Sequence, residues 1–300
     1  MSPQDLEPTG ERLIPERQRG ELVLAEHLAR YRLAAQLAPG RRVLDVACGE
    51  GYGAAMVVAG GADSVTGADV DPATVAHVAE RHGIEAVVAD IRELPFPDDA
   101  FDLVISFETI EHVHESERAL AELSRVRAPG GLVVISTPNA KEYLVDNPFH
   151  VREFEHEEFV ALLEQRFAKV RLLFQHNWLT SAVLEEGELA QADGETPVPV
   201  ELTKVAAVGP GDELYLVAVC GDEVDVGLQS VGVMAGTDEA HELARRLLEA
   251  ERTATHWYNA HRDAMGVIEN KVAAIDSMRS TWTWRATKPF RLLTRLRRGR

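Results

Sequence analysis

The stretch that decides the fold is VLDVACGEGYG, Val43 to Gly53. Val43, Leu44 and Val46 form an apolar run of strand length, and Gly49, Gly51 and Gly53 follow at alternate positions. A buried strand that enters a glycine-rich turn leaves room for a ligand against the backbone, because glycine has no Cβ and accepts positive φ. A nucleoside triphosphate does not fit. A P-loop needs Lys and then Ser or Thr after its last glycine, whereas Ala54 and Ala55 follow here.

Outward from this turn, short apolar runs alternate with helical patterns from Arg41 to about Gly221, the signature of a parallel sheet wrapped by helices. The pattern predicts strands at 42–47, 64–69, 85–89, 101–107, 131–136, 168–175 and 213–220. Helices are expected near 52–60, 72–82, 115–127 and 154–166, with Pro72 in a first turn and Ala128-Pro129-Gly130-Gly131 ending the third. The expected fold class is therefore α/β: a Rossmann-like, doubly wound, seven-stranded sheet with an N-terminal helix and a long C-terminal helical extension. Four divisions follow: a cap segment and helix over 1–40, the sheet domain over 41–221 with an insertion at about 178–212, a long helix or coiled coil over 237–279, and a basic aromatic tail over 280–300.

Bulk properties exclude several classes. The 300 residues are 45% hydrophobic, ample for a packed core. Cys48 and Cys220 match no metal spacing and are expected to be reduced thiols. The opening MSPQDLEPTGERLIPE lacks the apolar core of a signal peptide, so the expected location is the cytoplasm. Net charge is −18, yet from Ser277 onward there are eight basic residues and no acid. An acidic body argues against nucleic acid as a partner.

The cofactor is read from two acids. Asp45 lies inside the first strand, and Asp69 ends the second, about twenty residues past the turn, where an acid binds a ribose hydroxyl. A dinucleotide explains Asp69 but gives Asp45 no task, since a carboxylate there would oppose a pyrophosphate. A ligand with an ammonium group, a ribose and no phosphate resolves this, and S-adenosylmethionine is such a ligand.

The segments VLDVACGEGYG, GADVD, VADIRELPFPDDAFDLVISFETIEHV and RAPGGLVVISTPN resemble, in order and spacing, the motifs of class I S-adenosylmethionine-dependent methyltransferases. That resemblance covers about 41–221. It implies that Ala47, Gly49 and Gly51, with Tyr52 beside them, face the methionine moiety, that Asp69 holds the ribose diol and that Val70 lies on one adenine face. It also assigns Asp90 and Ile91 to the adenine amino group and ring, and Phe107 to the neighbourhood of the sulfonium. TGERLIPE, EHLARYRLA and NPFHVREFEHEEFVALLEQRF look more narrowly like the methyltransferases of bacterial cell-surface polysaccharide clusters, and STWTWRATKPF resembles a segment of glycosyltransferases from such clusters. This likeness implies a saccharide hydroxyl, less readily an amine, as acceptor. A natural product, a quinone and a non-catalytic module that keeps the fold stay open as alternatives.

A sugar hydroxyl needs a general base. His112 and His150 are the catalytic candidates, each just beyond a strand at the carboxyl edge of the sheet. Glu108, Glu111 and His112 also resemble the magnesium cluster of the ubiquinone-biosynthesis O-methyltransferases, although the metal-free reading is preferred. Arg12 with Glu11, and His27 with Tyr31, stand where the N-terminal segment could close over the site. His114, His156 and His176 read as surface residues.

The C-terminal part follows another logic. From Thr237, residues including Leu243, Leu247, Ala250, Ala254, Trp257, His261, Ala264, Ile268, Lys271, Ile275 and Met278 recur at three- and four-residue steps, a heptad seam that predicts a helix able to form a homo-oligomer. Beyond it, Trp282, Trp284 and Phe290 interleave with the basic residues, a composition suited to peripheral contact with an anionic membrane surface, here the inner face of the cell membrane.

Overall fold

Seven apolar segments pair into one sheet in the computed structural model, which describes residues 12–18, 21–143, 147–191, 196–198, 200–235 and 238–281, with backbone alone for 238–244. The strands are β1 (Arg42–Val46), β2 (Ser64–Asp69), β3 (Glu85–Val88), β4 (Phe101–Ser106), β5 (Arg127–Pro138), β6 (Lys169–Gln175) and β7 (Tyr215–Gly221). Their order is β3-β2-β1-β4-β5-β7-β6. Strand order reverses between β1 and β4, so their carboxyl ends form the crevice in which ligands of doubly wound sheets bind.

Side chains alternate across the central strands, which explains why both faces are apolar. On one face α1 (Leu22–Ala35), α2 (Tyr52–Ala59) and α3 (Pro72–His82) bring Ala34, Val57 and Val78 against Val43, Leu103 and Ile105. On the other, α4 (Ser116–Val126) and α5 (His156–Glu164) bring Leu120, Leu123, Phe159 and Leu163 against Leu44, Val104 and Val133. Asp71 caps α3 by accepting from the Ala73 amide at 2.9 Å, and Gly83 ends it at φ 65°.

Two expectations are corrected. The sheet is mixed, because β7 runs antiparallel to both β5 and β6. The Ala128-Pro129-Gly130-Gly131 run does not lie between a helix and a strand: α4 stops at Val126 and the run belongs to β5. Its physical reason is a register shift opposite Phe101 and Leu103, with Gly130 at φ 73° and its amide donating to the Asp222 carboxylate at 3.1 Å. Within the insertion α6 (Glu186–Ala190) forms, opened by a Glu185–Glu188 capping box.

The chain divides into two compact units, 1–236 and 237–300. In the second, α7 (Asp238–Ser280) is one helix of 43 residues. Glu11 and the tail from Trp282 onward lie outside the described residues. Among the described residues no helix is long and apolar enough to cross a membrane.

Candidate active site

The turn after β1 is built from backbone that other residues resist. Ala47, Gly49 and Gly51 have φ of 60°, 55° and 91°, so the chain leaves the strand through three left-handed positions. The loop is tied to the second strand: the Cys48 amide donates to the Ala68 carbonyl at 3.1 Å, and the Gly49 amide donates to Asp69 at 3.1 Å. Asp69 also accepts from the Asp71 amide at 3.0 Å, so its carboxylate stands fixed at the end of β2. Val70 beside it is 70% exposed, an uncovered apolar face next to this carboxylate.

Asp45 lies beneath this loop and is fully buried. The Tyr31 hydroxyl donates to its two oxygens at 3.2 Å each. Burial pushes the carboxyl up to about 7, against the Tyr31 hydrogen bond, and the nearby Asp69 charge adds to the rise. The Tyr31 ring meets Phe107 at 5.1 Å and Tyr52 at 5.6 Å, both edge to face. Tyr52 in turn shares a 3.0 Å hydrogen bond with His27 Nδ1, and burial, then Arg30, holds His27 well below the usual imidazole range. Tyr31 therefore contacts Asp45 directly, and His27 is linked to it through Tyr52. Arg12, the other described residue of the expected cap, pairs with Asp71 at 2.6 Å.

Farther along the crevice, Ile91 is buried, while Asp90 receives three nitrogen atoms of Arg92, whose side-chain hydrogen bonds hold its carboxyl down at about 2. Asp90 thus reaches a ligand only alongside this guanidinium.

Beyond β4 the chain turns through Glu108, at φ 48°, into a short 3-10 turn at Ile110–His112. Glu111 is 1% exposed; its Oε2 accepts from Thr137 at 3.1 Å, its Oε1 has no hydrogen-bond partner among the described residues, and its backbone carbonyl accepts from the Val151 and Arg152 amides. Burial, then the Glu108 charge, raises the Glu111 carboxyl well above its usual range. The His112 and His150 rings stand 4.9 Å apart, edge to face. The two catalytic candidates are therefore neighbours. Ligand atoms of Glu111, His112 and His150 lie within 4.8 Å of one another, whereas Glu108 turns to Ser136 at 2.6 Å and to Arg30 at 3.9 Å. The cluster that forms differs from the Glu108–Glu111–His112 set that resembles a magnesium site, and its two imidazoles suit magnesium poorly.

Sequence reading missed a buried polar group on the same side. Glu26, 6% exposed, accepts from the Tyr215 hydroxyl at 2.7 Å and from Asn177 at 2.5 Å. Arg30, 2% exposed, donates to Gln175 at 2.9 Å, and its Nε and Nη2 have no hydrogen-bond partner among the described residues. Glu26 and Arg30 sit one turn apart on α1, and charged residues at inward helical positions were the available signal. His156 and His176 also depart from the surface reading: His156 pairs with buried Glu213 at 3.4 Å, and His176 Nδ1 is buried.

With this geometry in place, comparison with known proteins decides the family. Residues 44–135 match the model of a methyltransferase domain. The protein named "probable S-adenosylmethionine-dependent methyltransferase" in Mycolicibacterium smegmatis is 34% identical over 232 residues, which is 74% of this chain and 87% of that one. This chain belongs to the S-adenosylmethionine-dependent methyltransferases. A protein of the same name in Mycobacterium tuberculosis is 34% identical over 248 residues, 77% of this chain and 90% of the relative. The methyltransferase solved with the Haloferax volcanii Trm112 methyltransferase activator shares the fold, at TM-score 0.50 and 18% identity over 70% of this chain and 95% of that one.

Asp45 and the glycine turn suit the cofactor of this methyltransferase family. A buried carboxylate with one neutral hydroxyl donor is short of a cation, and the positive-φ turn leaves open the space that Cβ atoms at Gly49 would enter.

Proposed function

We propose that this methyltransferase transfers a methyl group to a hydroxyl of a saccharide or sugar-containing acceptor by in-line displacement, with His112 as general base. S-adenosylmethionine, when bound, supplies a methyl group activated on a sulfonium. Asp45 would pair with the ammonium group, Ala47, Gly49, Gly51 and Tyr52 would line the methionine moiety, and Asp69 would hold the ribose diol. Val70, Asp90 and Ile91 would take the adenine, and Phe107 would stand near the sulfur.

The observation that carries the base assignment is the tautomer of the His112 ring. His150 is held through both nitrogens: Nε2 lies 3.0 Å from the Asn147 amide nitrogen and Nδ1 lies 3.4 Å from Glu153. His112 Nδ1 lies 3.1 Å from the Phe149 carbonyl, a contact that only an N–H can make, so its Nε2 carries the lone pair. That lone pair can take an acceptor's proton, while His150 holds the ring of His112 in place. Arg30, with two buried nitrogens that have no hydrogen-bond partner among the described residues, supports an acceptor rich in oxygen.

The test is incubation with S-adenosylmethionine and a panel of free, nucleotide-linked and lipid-linked saccharides, with mass spectrometry for the added CH2. His112→Ala should cut turnover by about 10²- to 10⁴-fold while S-adenosylhomocysteine affinity stays unchanged. Transfer to quinones or other natural products but to no sugar would overturn the acceptor class. Loss of cofactor affinity in the variant would make His112 structural.

A further inference from the structure

A second cluster of histidine and carboxylate lies on the far side of the glycine turn. Glu50, between Gly49 and Gly51, is 3% exposed and points toward α3. There His77 Nε2 lies 3.0 Å from Glu50 Oε1, and His82 Nε2 lies 3.4 Å from Glu50 Oε2 and 3.1 Å from the Glu50 carbonyl oxygen. The two imidazoles stand 6.4 Å apart, and one ligand atom from each of the three residues falls within a 4.8 Å span.

We propose that Glu50, His77 and His82 form a binding site for a borderline divalent metal ion of the zinc, nickel or cobalt kind, which would clip the cofactor turn to α3.

Spacing supports this first. Tetrahedral zinc with bonds of about 2.0–2.1 Å sets its ligand atoms about 3.3 Å apart, close to the separations between the imidazoles and the carboxylate. Donor chemistry comes next. Two imidazole nitrogens and one carboxylate oxygen are the set of a borderline transition metal, not of magnesium or calcium, which take oxygen. The loop is also already pressed to the helix: a Cβ at Gly51 would lie 2.9 Å from Val78 Cγ2 and 3.0 Å from His82 Cδ2. Arg81 contributes a nitrogen 3.0 Å from Glu50 Oε1 and continues to Glu16. A carboxylate has about four lone-pair directions, so this guanidinium weakens the site without filling it. Binding requires a lone pair on each Nε2, so a neutral ring moves its proton to Nδ1 and a protonated ring releases one to solvent.

The experiment is metal analysis of chelator-stripped, full-length protein after equilibrium dialysis against zinc, together with the visible spectrum on cobalt addition. Because Glu111, His112 and His150 form another cluster, His77→Gln/His82→Gln and His112→Gln/His150→Gln are run in parallel. About one equivalent of zinc should be retained by wild type and by the second variant and lost from the first. Zinc should also raise the wild-type melting temperature by about 5 °C at a hundredfold excess over Kd. Should the double variant not fold, single His82→Gln, at the last residue of α3, should weaken zinc binding at least tenfold. No retained zinc in wild type, retention in the His77/His82 variants, or loss confined to the His112/His150 variant overturns the proposal. None of these readouts depends on methyl transfer, so its failure and that of the acceptor reading are separable.

Discussion

Asp45 has lost bulk water and, among the described residues, gained the Tyr31 hydroxyl, so its proton is held more tightly in the folded chain than in the unfolded one. For an acid shifted upward, stability is full below the unfolded value near 4 and falls as pH climbs toward 7. An ammonium ligand needs the ionised form. S-adenosylhomocysteine binding should therefore tighten as pH rises from 6 to 8, and Asp45→Asn should abolish that slope and weaken binding about 10- to 100-fold in calorimetry. A slope that survives in the Asn variant would assign the titration elsewhere. Tyr31 imposes a second constraint, on Gly53: a Cβ there would sit 2.1 Å from the Tyr31 Cζ. Gly53→Ala should lower stability by about 1–3 kcal/mol, and Tyr31→Ala in the same chain should recover part of it, read by urea unfolding. The glycines and acids of this turn were legible because their spacing is local. The ring over Gly53 was not, because it belongs to a helix about twenty residues upstream, and no periodicity records which side chain a crossing helix lowers onto another.

At the scale of elements, every expected strand exists and the errors lie at their ends. Local pattern gives an apolar run its length, but β5 begins at Arg127 only because the Gly130–Gly131 pair lets the chain bulge and still pair with β4. A Cβ at Gly131 would meet two backbone oxygens, of Ala128 and Asp102, both at 2.9 Å. Backbone cannot give way as a side chain can. Gly131→Ala should cost about 1–3 kcal/mol in thermal unfolding, whereas Gly187→Ala, with nothing within 4 Å of the added Cβ, should be neutral or better. The antiparallel course of β7 was equally hidden, since an apolar strand buried on both faces reads the same in either direction. The charged α1 cluster of Glu26 and Arg30 escaped because Leu24 and Leu28 alone satisfy a helical stripe.

At the scale of the whole molecule, residues 1–236 hold the sheet and both catalytic candidates. A chain ending at Gly236 should keep its melting temperature and its S-adenosylhomocysteine affinity, measured by calorimetry. On α7, Leu247, Trp257, Ile268, Ile275 and Met278 are all exposed, which motivates the proposal that this helix self-associates. Light scattering should find full-length protein larger than a monomer and the shortened chain smaller. The basic tail, with its aromatic residues, is proposed to hold the protein on anionic vesicles at low salt, and co-sedimentation checks it. The sheet order bears on how the molecule is made. β5 has β4 on one side from early in synthesis, but its other neighbour is β7, and residues 139–214 must be translated between them. At ordinary elongation rates that leaves one edge of a long apolar strand unpaired on the ribosome for about 4–15 s. During that interval the nascent chain is a target for holdase chaperones, and synonymous codons that slow translation between Asn139 and Leu214 would lower soluble yield without changing one residue of the protein.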